Sequence, residues 1–247
     1  MISGLVPIGV NGLIMNERAL KMSSIFLVIS LLSVLLGVAY AKPLTQKEKD
    51  LYYTFGVRMS SELAPYGLSL AALEEIFAGL KDGHQDALRL NPSLYEQELR
   101  THLQELVKAR VSTEEAKGKA FLEVFKARKG VLMTAKGAAY RVTQAGSGPQ
   151  PTHTSVVQLH YEGRTVDGLV FDSSRGPGAA VGAPAVSFPL DRVIPCWTEV
   201  IPQLKAGTKA QILCPASLAY GARGAPPVIA PGAALIFEVE LLSVGKP

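Results

Sequence analysis

The sequence predicts an α+β protein in which an all-helical half precedes a half that is rich in antiparallel sheet. Prolines are absent between Pro92 and Pro149, whereas 12 of the 16 prolines lie at or after Pro149. Before this change, apolar side chains recur at helical spacing. After it, short apolar runs are separated by Gly and Pro, which is typical of strands and turns.

The composition indicates one or two folded domains and excludes several functions. Of the 247 residues, 48% are hydrophobic and 19% are charged, and the formal net charge is +4 at pH 7. No run of Lys and Arg indicates nucleic-acid binding. The four histidines and two cysteines lack the spacing of metal ligands, so we predict neither a metal nor a cofactor.

Residues 1–41 are predicted to be a secretory signal peptide. Two basic residues precede a nearly continuous apolar stretch, and a small-residue cleavage site follows it. These parts are Arg18 and Lys21, then Ile25–Val38, then Ala39–Ala41. The stretch is shorter than the roughly 20 residues of a spanning helix, so a retained membrane anchor is the less favoured alternative. Met15 and Met22 are alternative start sites.

The residues after this segment are predicted to form three helices. The first helix is predicted at Thr45–Leu63. The second is capped by Ser69 and ends at about Leu80, and the third is Pro92–Arg128. Asn91 is the expected N-cap of the third helix, because Pro92 then occupies the first helical position, where its missing N–H costs nothing.

The third helix, 92–128, is too long for a small domain to bury. At 1.5 Å per residue it measures about 55 Å. It therefore either bridges two domains or packs its apolar stripe against another chain. Gly118 lies inside it and marks either a bend or a weak position.

The second half is predicted to contain strands and one short helix. The strands are Val156–Tyr161, Ala210–Cys214 and Ala234–Val244, and the helix lies within Asp191–Leu204. The prolines of that last segment keep its helix short.

Several segments of the second half resemble the FKBP-type peptidyl-prolyl isomerase domain in their order and spacing. The matching segments are Val157–Gly163, Asp167–Gly168, Phe171–Ser174, Val193–Trp197, Leu218–Gly221, Ile229–Pro231 and Leu235–Leu242. The resemblance runs from about residue 141 to the end. It implies an antiparallel sheet of about five strands that wraps a short helix, and an enzyme that needs no cofactor.

The first half resembles the helical domain of bacterial Mip-type isomerases (macrophage infectivity potentiator) at Gly79–Gly83 and Gly118–Leu122. The resemblance implies a homodimer exported to the bacterial periplasm, outer membrane or cell surface. The implied domains are the signal peptide 1–41, a helical dimerisation domain 42–130 that includes the helix 92–128, and an isomerase domain 131–247.

The resemblance also implies the site residues and the ligands. They are Tyr161, Phe171, Asp172, Val193, Ile194, Trp197, Tyr220, Phe237 and, closing one side, Ile229. Trp197 forms the floor, the Tyr220 hydroxyl and the Ile194 N–H hold substrate carbonyls, and Asp172 bonds the Tyr161 hydroxyl. Taken singly, such aromatics are more often plain core, and only their combined spacing favours a cleft. The expected ligands are proline-containing polypeptides, with tacrolimus or rapamycin as competitors.

Two questions stay open at this point. Cys196 stands where the family usually has Gly, and an oxidising compartment would favour its pairing with Cys214. A disulfide needs Cα atoms within about 7 Å, and the sequence does not give this distance. Two buried free thiols are therefore the alternative.

A chaperone or adhesion module on the same fold, with little isomerase activity, is the alternative function. The intact set of Trp197, Tyr220 and Asp172 argues against it.

Overall fold

The structure is a computed structural model that describes residues 42–176 and 184–245, and it confirms that helices precede an antiparallel sheet. The predicted signal peptide, 1–41, lies outside the described residues and stays a prediction. Within the described ranges, no helix combines the length and apolar character that crossing a membrane requires.

The first two helices lie close to their predicted positions. Helix α1 is Gln46–Leu63 and helix α2 is Leu70–His84. Ser69 caps α2 as expected, because its hydroxyl accepts a hydrogen bond from the Ala72 N–H at 3.2 Å. Helix α2 continues four residues beyond the predicted end at Leu80.

The long helix is shorter than predicted. Helix α3 is Glu96–Lys126, with 31 residues and a length of about 46 Å. The predicted start at Pro92 is wrong, because Asn91 caps a separate 3-10 turn over Pro92–Leu94. The Asn91 side chain accepts from the Ser93 N–H at 3.1 Å, and the α-helix begins only after this turn. The helix runs unbroken through Gly118.

Within the described ranges, seven strands form the sheet, in the order β1-β2-β6-β7-β3-β4, with β5 also paired to β3. The strands are Val131–Met133 (β1), Ala139–Gln144 (β2), Val156–Thr165 (β3), Val170–Ser173 (β4), Val186–Pro189 (β5), Lys209–Cys214 (β6) and Leu235–Gly245 (β7). The count exceeds the expected five because β4 and β5 are short and share one edge of β3, while β1 has only three residues.

The main core lies between the sheet and the short helix α4, Pro195–Val200. Proline starts this helix, and 3-10 turns flank it on both sides, as its proline-rich sequence suggests. The sheet contributes fully buried side chains such as Val157, Leu159 and Leu241, and α4 contributes Trp197 and Val200. These contacts fix α4 against one face of the sheet.

A second core joins the end of α3 to the other face of the sheet. Phe125 packs there with Ala139, Leu213, Ala234 and Ile236. Along β7, Ile236 belongs to this second core while its neighbours Leu235 and Phe237 belong to the main core, since alternate residues of a strand face opposite sides. The last turns of α3 therefore pack as part of the sheet domain.

Two glycines permit this close approach of α3. A Cβ on Gly118 would lie 2.8 Å from the Ala234 Cβ, and a Cβ on Gly232 would lie 2.8 Å from the Val111 backbone. An ion pair reinforces the contact, because the Lys117 ammonium lies 3.0 Å from Asp167 in the turn between β3 and β4. Gly118 therefore allows close packing of α3 against the loop before β7. The sequence had suggested only a bend or a weak position in the helix.

We predict that Phe125→Ala destabilises the sheet domain by about 3–5 kcal/mol, because it leaves a cavity in the second core. Val124→Ala is the matched control, since the neighbouring Val124 side chain is 62% exposed and its loss should change stability by less than about 0.5 kcal/mol. Urea unfolding monitored by Trp197 fluorescence measures both. Equal midpoints for the two variants would contradict this role of Phe125.

Candidate active site

An apolar cleft of about 210 Å³ opens between the sheet and α4. Strands β3, β4, β5 and β7, the turn before α4, and the segment after β6 all contribute to its walls. The lining residues are Tyr161, Phe171, Asp172, Phe188, Arg192, Val193, Ile194, Trp197, Tyr220 and Phe237.

Trp197 forms the centre of an aromatic cluster at the base of the cleft. It is 4% exposed, and its ring lies 5.2 Å from the rings of Tyr161 and Phe237 and 5.6 Å from that of Phe188, all edge-on. Phe171 packs edge-on against Phe237 at 5.8 Å. Edge-to-face contacts of this kind hold each ring in a defined orientation. The base is therefore rigid and apolar.

Gly163 makes room for this cluster. A Cβ at this position would lie 2.6 Å from the Phe171 ring and 2.9 Å from the Phe237 ring. Gly163 also pairs directly with Phe237 across the β3–β7 ladder. The sequence contains Gly163 within the matching segment, but its spatial role could not be inferred from spacing alone.

The polar groups lie at the rim. The Tyr161 hydroxyl donates a hydrogen bond to Asp172 Oδ2 at 2.6 Å, which is the bond that the resemblance implied. Burial and then this bond raise the pKa of Tyr161 above its ordinary value, so the hydroxyl stays protonated. Asp172 therefore holds Tyr161 in one orientation.

Two further donors are available to a ligand. The Tyr220 side chain is 40% exposed, and its hydroxyl bonds to no residue within the described ranges. The Ile194 N–H likewise has no acceptor among the residues that the structure describes, whereas the Ile194 carbonyl accepts from the Trp197 N–H at 2.9 Å. An apolar cleft with two free donors at its edge suits a ligand that has an apolar ring between carbonyl groups.

Eight of the nine predicted site residues line this cleft, and Ile229 does not. Ile229 is 5% exposed, belongs to the main core and pairs through its backbone with Ala225. Phe188 and Arg192 line the cleft although neither was predicted. Arg192 immediately precedes the matching segment at Val193, which is the signal that could have found it.

Cys196 and Cys214 form a disulfide with a Cα–Cα distance of 5.6 Å. The free-thiol alternative is therefore wrong. Both residues are fully buried, and the bond joins the start of α4 to the end of β6. Because Cys196 directly precedes Trp197, the cross-link fixes the helix that carries the base of the cleft. Among the described residues, no group of three or more His, Cys, Asp or Glu could hold a metal.

The fold and the cleft together are those of an isomerase-type domain. Comparison with known proteins identifies its family. Residues 148–242 match the family model described as FKBP-type peptidyl-prolyl cis-trans isomerase. Residues 48–142 match the model of the domain amino terminal to FKBP-type peptidyl-prolyl isomerase. The chain belongs to the FKBP-type peptidyl-prolyl cis-trans isomerase family.

Individual relatives agree with this placement. The chain is 36% identical to the peptidyl-prolyl cis-trans isomerase Mip of Coxiella burnetii over 83% of this chain and 90% of that protein. It is 44% identical to a probable FKBP-type isomerase FkpA of Neisseria meningitidis over 57% of this chain, and it spans only 50% of that relative's length. The crystal structure of FkpA from Escherichia coli matches with a TM-score of 0.60 and 32% identity, covering 82% of this chain and 98% of that one.

We predict that replacing both Cys196 and Cys214 by Ala lowers the free energy of unfolding by about 3 kcal/mol, because the disulfide closes a loop of 18 residues. Urea unfolding of the variant and of wild type, each with and without reductant, measures the loss. The control is internal: reductant should weaken wild type and leave the double variant unchanged. Thiol labelling of unreduced, denatured wild type should find no free cysteine, and two labelled cysteines would refute the disulfide.

Proposed function

We propose that this protein is a peptidyl-prolyl cis/trans isomerase that assists the folding of exported proteins. The observation that carries the proposal is the aromatic cleft, with Trp197 at its base and the donors of Tyr220 and Ile194 at its rim. The alternative, a chaperone or adhesion module with little isomerase activity, gains no support from any feature of the cleft.

Prolyl isomerisation requires selective binding of the twisted peptide bond and does not require a nucleophile. Rotation about a peptide bond faces a barrier of about 18–20 kcal/mol from amide resonance. At X–Pro bonds the cis and trans forms differ little in energy but exchange only in tens to hundreds of seconds. A catalyst must therefore bind the twisted imide more tightly than the planar one. Such a step limits the folding of many chains.

The cleft has the properties that this preference requires. A twisted imide separates less charge between nitrogen and oxygen than a planar one, so apolar walls favour it relative to water. The proline ring would lie against Trp197, and the flanking carbonyls would accept hydrogen bonds from the Tyr220 hydroxyl and the Ile194 N–H. The bond between Tyr161 and Asp172 would keep the wall in place without a proton-transfer step.

We predict that Trp197→Ala lowers kcat/KM by a factor of about ten or more, and that Asp172→Leu combined with Tyr220→Phe does the same. The first removes the apolar base, and the second removes the Asp172 carboxylate and the Tyr220 hydroxyl from the rim. Tyr140→Phe is the matched control, because Tyr140 loses a hydroxyl outside the cleft. Turnover of X–Pro peptides, followed by NMR exchange, is the measurement. Folded cleft variants with wild-type turnover would show that the site is misplaced.

The proposal includes a homodimer formed through the N-terminal helices. Neither α1 nor α2 contains a buried residue, and both carry large exposed apolar side chains. These are Leu51, Tyr52, Tyr53, Phe55, Val57, Met59, Leu70, Phe77 and Leu80. Exposed apolar surface of this extent marks an interaction site, and a symmetric dimer is the commonest closed assembly. Two linked clefts would hold a folding chain by raising its effective concentration.

We expect full-length protein without its signal segment to have the mass of two chains in light scattering. Leu70→Glu combined with Phe77→Glu should shift it to the mass of one chain, because the charges would have to be buried in the interface. Glu74→Gln is the control on the same helix, and it should leave the dimer intact. A monomeric wild-type protein would rule the dimer out.

Export to the periplasm, outer membrane or cell surface also belongs to this proposal. The predicted signal peptide supports it, and so does the Cys196–Cys214 disulfide, since disulfides persist mainly in oxidising compartments. Tacrolimus or rapamycin should compete with peptides for the cleft.

A further inference from the structure

One cation at the cleft, Arg192, has no ion-pair or hydrogen-bond partner among the described residues. Arg192 is the only basic residue that lines the cleft within the described part of the chain, and its side chain is exposed. It forms no ion pair or hydrogen bond with any residue described by the structure. Its charge is therefore free to interact with a ligand.

Two arginines that pair with carboxylates of β7, on the face of the sheet opposite to the cleft, differ in this respect. Arg175 lies 2.7 Å from Glu240, and Arg164 lies 2.6 Å from Glu238. The one acidic group of the cleft, Asp172, is already engaged by the Tyr161 hydroxyl. Among the described residues, the cleft lining thus carries one positive charge, that of Arg192, and one carboxylate, Asp172, which is hydrogen-bonded to Tyr161 and forms no ion pair with Arg192.

The backbone beneath Arg192 is firmly held. Arg192 ends the 3-10 turn Leu190–Arg192, in which Leu190 is fully buried. The Leu190 N–H donates to the Ser155 carbonyl at 3.0 Å, and the Leu190 carbonyl accepts from the Thr198 hydroxyl at 2.9 Å. Since Ile194 follows two residues later, Arg192 is fixed close to a donor proposed for a substrate carbonyl.

We infer that Arg192 is a specificity-determining residue that selects X–Pro segments with an acidic side chain at a position flanking the proline. The inference rests on the proposed isomerase function and adds a substrate class to it. An acidic substrate side chain would pair with the guanidinium while the proline ring occupies the aromatic cleft. A basic one would be repelled.

The size and kind of effect follow from the exposure of Arg192. Exposed ion pairs are weak, so a carboxylate should change affinity by about two- to fivefold. The pair forms at the rim, away from the rotating bond, and so it stabilises planar and twisted states alike. Such uniform binding lowers KM and leaves kcat unchanged. Salt should erase the effect, because the Debye length falls from about 8 Å at 0.15 M to about 3 Å at 1 M.

The test uses two series of blocked peptides, Ala-Xaa-Pro-Phe and Ala-Leu-Pro-Xaa, with Xaa as Glu, Gln or Lys. We expect one series at least to show KM rising from Glu to Gln to Lys at low salt, with kcat constant, and the differences to vanish at 1 M salt. Arg192→Glu should reverse the order. Arg223→Gln is the matched control and should preserve it, because Arg223 is also exposed and without an ion pair among the described residues but does not line the cleft.

The Gln peptides separate failure of the inference from failure of the proposed function. If they turn over but KM is independent of charge in both series, the inference is wrong and the isomerase function stands. An order that Arg192→Glu leaves unchanged likewise overturns the assignment to Arg192. If no peptide turns over, the proposed function itself is wrong, and the inference fails with it.

Discussion

The pairing of β3 with β7 is the contact on which the cleft depends. This antiparallel ladder sets Gly163 opposite Phe237 and Tyr161 opposite Val239. Because side chains alternate along a strand, it places Tyr161, Gly163 and Phe237 on the face that contacts Trp197. A slip of one residue would turn Tyr161 to the other face of the sheet. The register therefore determines whether an aromatic base exists at all.

Strand β7 contributes side chains to both faces of the sheet. Phe237 contributes to the cleft, while the adjacent Ile236 packs with Phe125 of α3 on the opposite side. The close contacts at Gly118 and Gly232 bring the helix backbone against the loop that precedes β7. The final turns of α3 therefore support the strand that carries the cleft, although their sequence has the character of the helical half.

Much of the fold and of the cleft could be predicted from the sequence, because local sequence patterns agree with the global fold. Ser69 signals a cap through a single side chain, and the apolar runs at Val156–Tyr161 and Ala234–Val244 correctly indicated β3 and β7. Asn91 was misleading, because the same side chain that caps an α-helix can cap a 3-10 turn. The roles of Phe188 and Gly163 in the cleft were not predicted, because they arise from contacts with aromatic rings on other strands and on α4. Ile229 was placed at the cleft by the resemblance of its loop motif, and the lining of the cleft in the structure does not include it.

The disulfide between Cys196 and Cys214 gives the protein two stability regimes. On the proposed export route, the chain would lack this cross-link while it is in the reducing cytoplasm, and it would be less stable there than after oxidation. Oxidation after export would then lock the base of the cleft. On the proposed route, maturation of the enzyme would be coupled to its arrival outside the cytoplasm.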